Sequence, residues 1–393
     1  MKKRRAYVVI SIVAIVVLLV VAACTPAATP TPPPATRPPV QATVTQMPTK
    51  PAWEVKWDNL VVEAKKEGEV LFYFIGGPKA REEVAKAFKA RYGIDVNFVV
   101  GRPPELVQKL ESEANAGLFL ADVINLGGGS SLTMLKPKGL LKPIEPELIL
   151  PEVKDPKSWV IGKLPFVDAD GTVFGMLANY ERYAAVNTDM VKEGEVTSLK
   201  GLLDPKWKNK MIMLDPSMPG AGASVCAFLG RVWGMEKALE WAQGVADQGT
   251  VFTRDKRQHV EWVAKGSKAI AIAPSPDVFS DFKSVGSPIT SVKIDEGGNA
   301  QTVGGAIMLP AKPAHPNAST VFINWLLSKE GQAAYVKGIG VPGARVDAPK
   351  EGIDELFFPG PGDKITVTGD EEFFLLQGKM RPKLTEIVAN QAK

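Results

Sequence analysis

Apolar positions along the chain fall into two regimes. Ala6–Ala23 is an unbroken apolar run, whereas from Trp53 onward short apolar stretches alternate with amphipathic ones. In the second regime Val70–Phe74 reads as a continuous apolar strand, stopped by Gly76-Gly77-Pro78. Val84, Ala87, Phe88 and Tyr92 then recur at helical spacing, with Gly93 as the stop signal. Ile94, Val96 and Phe98 alternate as a second strand. Leu106, Leu110 and Ala114 mark a helix behind Pro104 that Gly117 closes, and Ala121–Leu126 is a third strand running into Gly127-Gly128-Gly129-Ser130-Ser131. This β-α-β-α-β rhythm predicts a mainly parallel sheet with helices on both faces.

A second α/β block follows. Val173–Val186 reads as one long strand and Lys210–Leu214 as a short buried one. Ala221–Trp233 and Glu236–Ala246 read as helices, Ala269–Ala273 and Gly304–Leu309 as strands, and Thr320–Leu327 as a helix. There is no internal sequence repeat.

Charge changes the meaning of the first regime. The formal net charge is +4, and Lys2, Lys3, Arg4 and Arg5 account for all of it. From Trp53 onward there are 41 basic and 43 acidic residues, so no basic face is available for nucleic acid. Basic residues ahead of an apolar run orient it with the N-terminus inside. Val21-Ala22-Ala23-Cys24, at the end of that run, resembles the bacterial lipobox, whose Cys is lipidated after cleavage. Residues 1–23 are therefore expected to be a lipoprotein signal peptide; an uncleaved membrane helix is the alternative. Thr25–Pro51 is rich in Pro and Thr, has no Asp, Glu or aromatic residue, and reads as an extended tether. Residues 24–52 thus hold the folded body outside the cytoplasmic membrane. With Cys24 lipidated, Cys226 alone remains, which excludes an internal disulfide or a cysteine metal cluster; it reads as a buried small residue.

Several motifs of the body resemble bacterial solute-binding proteins of ABC importers, in the group that includes ferric-iron binders. They are Leu202-Leu203-Asp204-Pro205-Lys206-Trp207-Lys208-Asn209-Lys210, Asp215-Pro216, Val303-Gly304-Gly305-Ala306-Ile307, and Phe322–Gln332. Lys66-Glu67-Gly68-Glu69-Val70 and Ala121-Asp122-Val123-Ile124 look like the same family. The resemblance implies a type II periplasmic-binding-protein-like fold with two α/β lobes closing over a solute. By analogy lobe 1 is 53–177 plus 305–340, and lobe 2 is 178–304 plus 341–393. Chain crossings near Ala178–Tyr180, Val303–Gly304 and Val341–Arg345 would form the hinge. The implied partners are a small-molecule solute and an ABC permease, with the protein acting as a monomer and not as an enzyme.

In open α/β sheets, ligands sit beyond the carboxyl ends of strands. Gly76 and Gly77 follow the first strand, and Gly128, Gly129 and Ser130 follow the third. In lobe 2, Ser217, Gly222 and Ser224 lie in the loop and helix start opened by Asp215. Such glycine- and serine-rich turns ahead of helices offer backbone N–H groups to an anion. Arg102, Tyr180 and Arg182 are further candidates, Arg for its planar fork; Arg182 has Glu181 or Asp170 as alternative partners. Asp277 lies where the family often has a ligand-contacting segment. The adjacent tyrosines that the resemblance associates with ferric binding are missing, and His259 and His315 stand in polar stretches away from the expected cleft. The expected ligand is thus an organic or phosphorus-containing anion, with ferric iron or an iron complex as alternative. An anchored enzyme is disfavoured, since Gly-x-Ser-x-Gly, His-Glu-x-x-His and Walker motifs are all missing. A ligand sensor remains open.

Overall fold

The computed structural model describes residues 50–301 and 305–391. The leader, Cys24 and most of the tether lie outside them, as does the crossing at Val303-Gly304. Residues Lys50–Lys393 form one compact unit.

The chain opens with α1 (Ala52–Glu67), β1 (Glu69–Phe74), α2 (Pro78–Tyr92), β2 (Asp95–Val100), α3 (Pro103–Asn115), β3 (Val123–Leu126), α4 (Gly128–Ser130), β4 (Leu141–Lys142) and α5 (Pro151–Lys154). It continues through β5 (Asn179–Glu181), β6 (Ala184–Asn187), β7 (Met211–Leu214), α6 (Ala221–Trp233), α7 (Met235–Asp247), β8 (Val251–Thr253), α8 (Lys256–Ala264), β9 (Ile270–Ile272), α9 (Pro276–Ser284), β10 (Ile289–Ser291) and β11 (Gly298–Gln301). Last come β12 (Ala306–Pro310), α10 (Pro316–Leu327), α11 (Lys329–Ile339), β13 (Ile365–Thr368) and α12 (Glu371–Gln391). Local signals explain many boundaries. Pro78 occupies the first turn of α2, and Gly93 ends it in the left-handed region at φ 73°, its N–H bonded to the Lys89 carbonyl.

Two five-stranded sheets carry the lobes, in the orders β2-β1-β3-β12-β4 and β8-β7-β9-β6-β10. In each, three parallel strands come first; the fourth, β12 or β6, runs antiparallel to its neighbour. The fourth strand reverses because it is where the chain enters the lobe from the other side. The two sheets are therefore topological counterparts without any sequence repeat. A third sheet, β13-β11-β5, is built from connecting segments: β5 lies between the sheets in chain order and β11 returns the chain. Beside it, Ala178 N–H bonds to the Pro342 carbonyl and Ala344 N–H to that of Met176.

The long strand expected over Val173–Val186 is corrected here. Phe174 makes only isolated bridges in lobe 1, β5 belongs to the connecting sheet and β6 to lobe 2. The polar residues Asn179, Glu181 and Arg182 stand where the chain leaves lobe 1 for the connecting sheet.

Lobe 1 packs Phe72, Phe88, Phe322 and Trp325 on one sheet face, with Phe88 and Phe322 edge to face at 4.9 Å. Its other face is covered by Leu106, Leu126, Leu132 and Leu135. Lobe 2 packs Trp207, Val225, Cys226, Phe228 and Trp241, together with Phe373, Met380, Leu384 and Ile387 from α12. Each such side chain contributes roughly 1.5–3 kcal/mol on full burial. Cys226 is fully buried, which pushes its thiol up to about 12.

Candidate functional site

Because the sheets are counterparts, the carboxyl ends of their parallel strands present three pairs of turns. The turn after β1 (Gly76-Gly77) matches the one after β7 (Asp215–Gly220). That after β2 (Gly101-Arg102) matches Arg254-Asp255 after β8, and that after β3 (Gly127–Ser130) matches Ala273-Pro274-Ser275 after β9. Each turn leads into a helix, as the βαβ architecture requires.

On the lobe 1 side the chemistry is backbone. Gly76 is buried, and a Cβ there would collide with the Phe74 ring; Gly77 is exposed with open space around it. Gly127 precedes a helical run that passes from α4 into a π-type turn at Ser131–Leu135 and a final tight turn at Lys136–Lys138. Such π-type turns are frequent at functional sites. Arg102 is spent locally. Its side chain is 84% exposed, its Nε donates to Glu105 Oε1 at 2.8 Å, and the Glu105 carboxylate returns a contact to the Arg102 N–H at 3.0 Å. The pair caps α3.

On the lobe 2 side side chains enter. Asp215 Oδ1 accepts the N–H of Ser217 at 2.9 Å and its hydroxyl at 2.5 Å, while Oδ2 accepts Nε of Arg254 at 2.9 Å. Burial alone would raise this carboxyl, but the Ser217 and Arg254 hydrogen bonds outweigh it and hold it below the usual aspartate range. Arg254 is held through Nε alone, with its side chain 72% exposed, so both terminal nitrogens stay available to an oxyanion. The next turn depends on glycine: Gly220 has φ 144° and ψ −163°, and a Cβ on Gly222 would collide with the Leu214 carbonyl. Helix α6 thus starts hard against the end of β7. Ser224, in its first turn, accepts a bond from Gln377 Nε2 at 3.3 Å. Ala273, ending β9, sits at φ 54°, a left-handed conformation that costs a non-glycine residue about 1–2 kcal/mol. Strain of this kind clusters at ligand clamps. Asp277 lies in the first turn of α9.

The structure does not bring Tyr180 and Arg182 to these turns with free polar groups. The Arg182 guanidinium stacks on the Tyr180 ring at 4.9 Å and donates to the Leu356 and Phe358 carbonyls and to Asp363 Oδ2 at 2.7 Å. Asp363, rather than Glu181 or Asp170, is its ion-pair partner; Asp170 pairs with Lys136 at 2.9 Å. Tyr180 donates to the Lys364 carbonyl at 3.2 Å. Both side chains fasten the segment ahead of β13. Arg254, by contrast, was missed in the sequence. The readable signal was an Arg directly after a short strand and before an Asp that caps α8.

His315 lies in a largely exposed stretch, as expected, whereas His259 is corrected from a polar stretch to a buried position. His259 is fully buried, with Nε2 3.2 Å from the Ile212 carbonyl, and burial lowers its imidazole to about 4. His315 Nδ1 faces Asp122 at 2.8 Å, at the amino end of β3. Among the described residues, no group of three or more His, Cys, Asp and Glu side chains is placed to hold a metal ion. Among the other described tyrosines, Tyr73 donates to Glu113, Tyr92 packs on Phe88, Tyr183 packs on Phe228, and Tyr335 is buried beside Phe74 with its hydroxyl close to Gly305.

Comparison with known proteins agrees with this architecture. The iron uptake protein A1 of Synechocystis is 28% identical over 213 residues, 53% of this chain; the match spans only about half, 54%, of that relative. Among solved structures, periplasmic binding protein AfuA from Actinobacillus pleuropneumoniae, with fructose-6-phosphate bound, superposes with a TM-score of 0.61. It is 21% identical, covering 83% of this chain and 98% of its own. FutA of Trichodesmium, in complex with iron and citrate, gives 0.64 at 18% identity, covering 82% and 99%. The model of bacterial extracellular solute-binding proteins matches residues 83–355. With two counterpart lobes and a family match over residues 83–355, this chain belongs to the bacterial extracellular solute-binding proteins.

Proposed function

We propose that this chain captures a small organic or phosphorus-containing anion between its lobes and delivers it to an ABC permease. In this reading it acts as a monomer held to the outer face of the membrane through lipidated Cys24. The lobes would be 53–177 with 305–340 and 178–304 with 341–393, moving about the connecting sheet. The observation that carries the reading is Arg254. Its guanidinium is held at the end of β8 by a buried carboxylate that also opens the loop to the α6 start, where Gly222 packs against the Leu214 carbonyl. A micromolar ligand needs about −8.2 kcal/mol, and charge-assisted hydrogen bonds supply roughly 1.5–3 kcal/mol each. Gly77, Gly128–Ser130, Ser217, Gly222 and Ser224 would supply or shape the remaining contacts. AfuA carries a sugar phosphate in its solved structure, a ligand of this class.

Iron or an iron complex is the second reading, favoured by the named relative and by FutA. The want of an adjacent tyrosine pair and the guanidinium at the turn weigh against a bare ferric ion; an iron–citrate complex would still present carboxylates to Arg254. A thermal-shift series on residues 50–393 separates these readings, since a ligand of the native state raises the melting point by mass action. Fructose 6-phosphate, pyrophosphate, citrate, ferric citrate and ferric ion are the probes. Stabilisation by a phosphate or carboxylate probe is expected; stabilisation by free ferric ion alone would overturn the anion reading. Turnover of any probe would overturn the non-catalytic one.

A further inference from the structure

The two ligand-facing edges are joined by a third element, the start of the C-terminal helix α12. Its body belongs to lobe 2: Phe373, Met380, Leu384 and Ile387 are buried in that core, and Asp370, just ahead of it, pairs with Arg231 of α6. Its first turn reaches lobe 1. The Glu371 N–H donates to the Val167 carbonyl at 2.8 Å, and Glu371 Oε1 lies 3.3 Å from Lys136 Nζ. Phe374 packs against both the lobe 1 and lobe 2 clusters, and its ring leaves no more than 3.0 Å for a Cβ on Gly129. One turn further, Gln377 donates to Ser224. Phe374 and Gln377 are three residues apart, on one helix face. That face therefore touches the lobe 1 turn at Gly129 and the lobe 2 helix start at Ser224 together.

We propose that Phe374 is a positioning residue for the cleft: it sets the separation of the Gly127–Ser130 turn from the α6 start, with the Glu371–Lys136 pair as its second point of attachment. The inference rests on the anion reading only for where the ligand sits. Lys136 and Gly129 lie on one continuous helical run, so α12 grips that run at two points. Lys136 also contacts Asp168 and Asp170, at 2.8 and 2.9 Å. Any rotation of lobe 1 against lobe 2 must break the backbone bond, the ion pair and the ring contact, because α12 travels with lobe 2. These few contacts are a small part of the surface that α12 buries, so their loss alters lobe spacing more than it alters folding.

The test is a pulsed-EPR distance between spin labels at Lys86→Cys on α2 and Lys237→Cys on α7, both exposed sites without an ion pair. It uses residues 50–393, in which Cys226 is buried and its raised thiol leaves it unlabelled. Without any probe present, Phe374→Ala should shift or broaden the interlobe distance distribution. Glu371→Gln should do so less, and Phe374→Leu should restore much of the parental distribution. The dissociation constant of whichever probe stabilises the parent should change at least threefold in Phe374→Ala. Distributions superimposable on the parent in both Phe374→Ala and Glu371→Gln would overturn the proposal, and so would an unchanged dissociation constant. A shifted distribution in a protein that binds no anion would sustain the positioning role and sink the anion reading, so the two failures are distinguishable.

Discussion

The two lobes share one strand plan and present different chemistry at their helix-leading turns. After β1 and β3, lobe 1 offers glycine backbone, and the guanidinium of Arg102, after β2, is neutralised within its own capping pair. After β7 and β8, lobe 2 offers a buried carboxylate that holds an exposed guanidinium in place. The difference teaches where selectivity resides. A backbone edge accepts many anions and adjusts little to their shape, whereas a charged fork oriented by Asp215 demands a carboxylate or phosphate in one plane. Overall charge contributes nothing, since the body from Trp53 onward carries 41 basic against 43 acidic residues.

Breaking the lobe 2 edge should cost most. Asp215→Ala removes a carboxylate that accepts three bonds and is only 5% exposed. Its loss should reduce stability by about 3 kcal/mol in urea unfolding; Glu105→Ala, the exposed lobe 1 counterpart, should lower the midpoint only by the smaller amount that losing a helix cap costs. Acid should also act through lobe 2. His259 is held neutral down to about 4 in the fold, against about 6.5 when unfolded. The unfolded chain therefore takes up the proton first, and stability falls as pH drops from about 6.5 to 4, by roughly 3 kcal/mol in all. His259→Gln should flatten that part of the pH–stability curve. The Asp215 contribution has the same direction but a lower window: it is complete above the ordinary aspartate value and lost as pH falls through its depressed one.

Glycine substitutions sharpen the contrast at a smaller scale. Gly222→Ala should destabilise by about 2 kcal/mol, the range of an overpacked site, because the new Cβ meets the Leu214 carbonyl. Gly77→Ala, with nothing nearby, should leave the melting temperature within a degree or so of the parent. The smallest expected effect is on binding. Arg254→Ala should weaken the stabilising anion about tenfold in calorimetry, or ~1.4 kcal/mol, while Arg102→Ala leaves its affinity unchanged. Equal losses in both variants would erase the distinction between the lobes.

Much of this fold was legible along the chain. The strand Val70–Phe74, the helix ended by Gly93, and the glycine turn after Leu126 each announce themselves through local signals, and each stands where expected. Helix α12 was not read, although Phe373, Met380, Leu384 and Ile387 carry a helical period, because Pro382 and dense charge interrupt it. The candidate site divided along the same line. Gly77 and Gly129 were expected from composition and position, and both stand at the starts of helical runs. Arg182 looked equally eligible, yet its donors are consumed by Asp363 and two carbonyls 174 to 181 positions away in the chain.

Sequence alone determined the alternation of strands and helices, the nearly charge-neutral body, the basic cluster ahead of the apolar run Ala6–Ala23 and the family motifs, because these depend on residue type and near spacing. Only the tertiary structure decided that two unlike sequences make counterpart sheets. It alone showed that Arg254 and not Arg182 keeps an open fork, and that α12 touches both cleft edges. Those outcomes depend on which distant partner reaches a side chain first, and a hydrogen-bond donor already satisfied in the folded core is no longer available to a ligand.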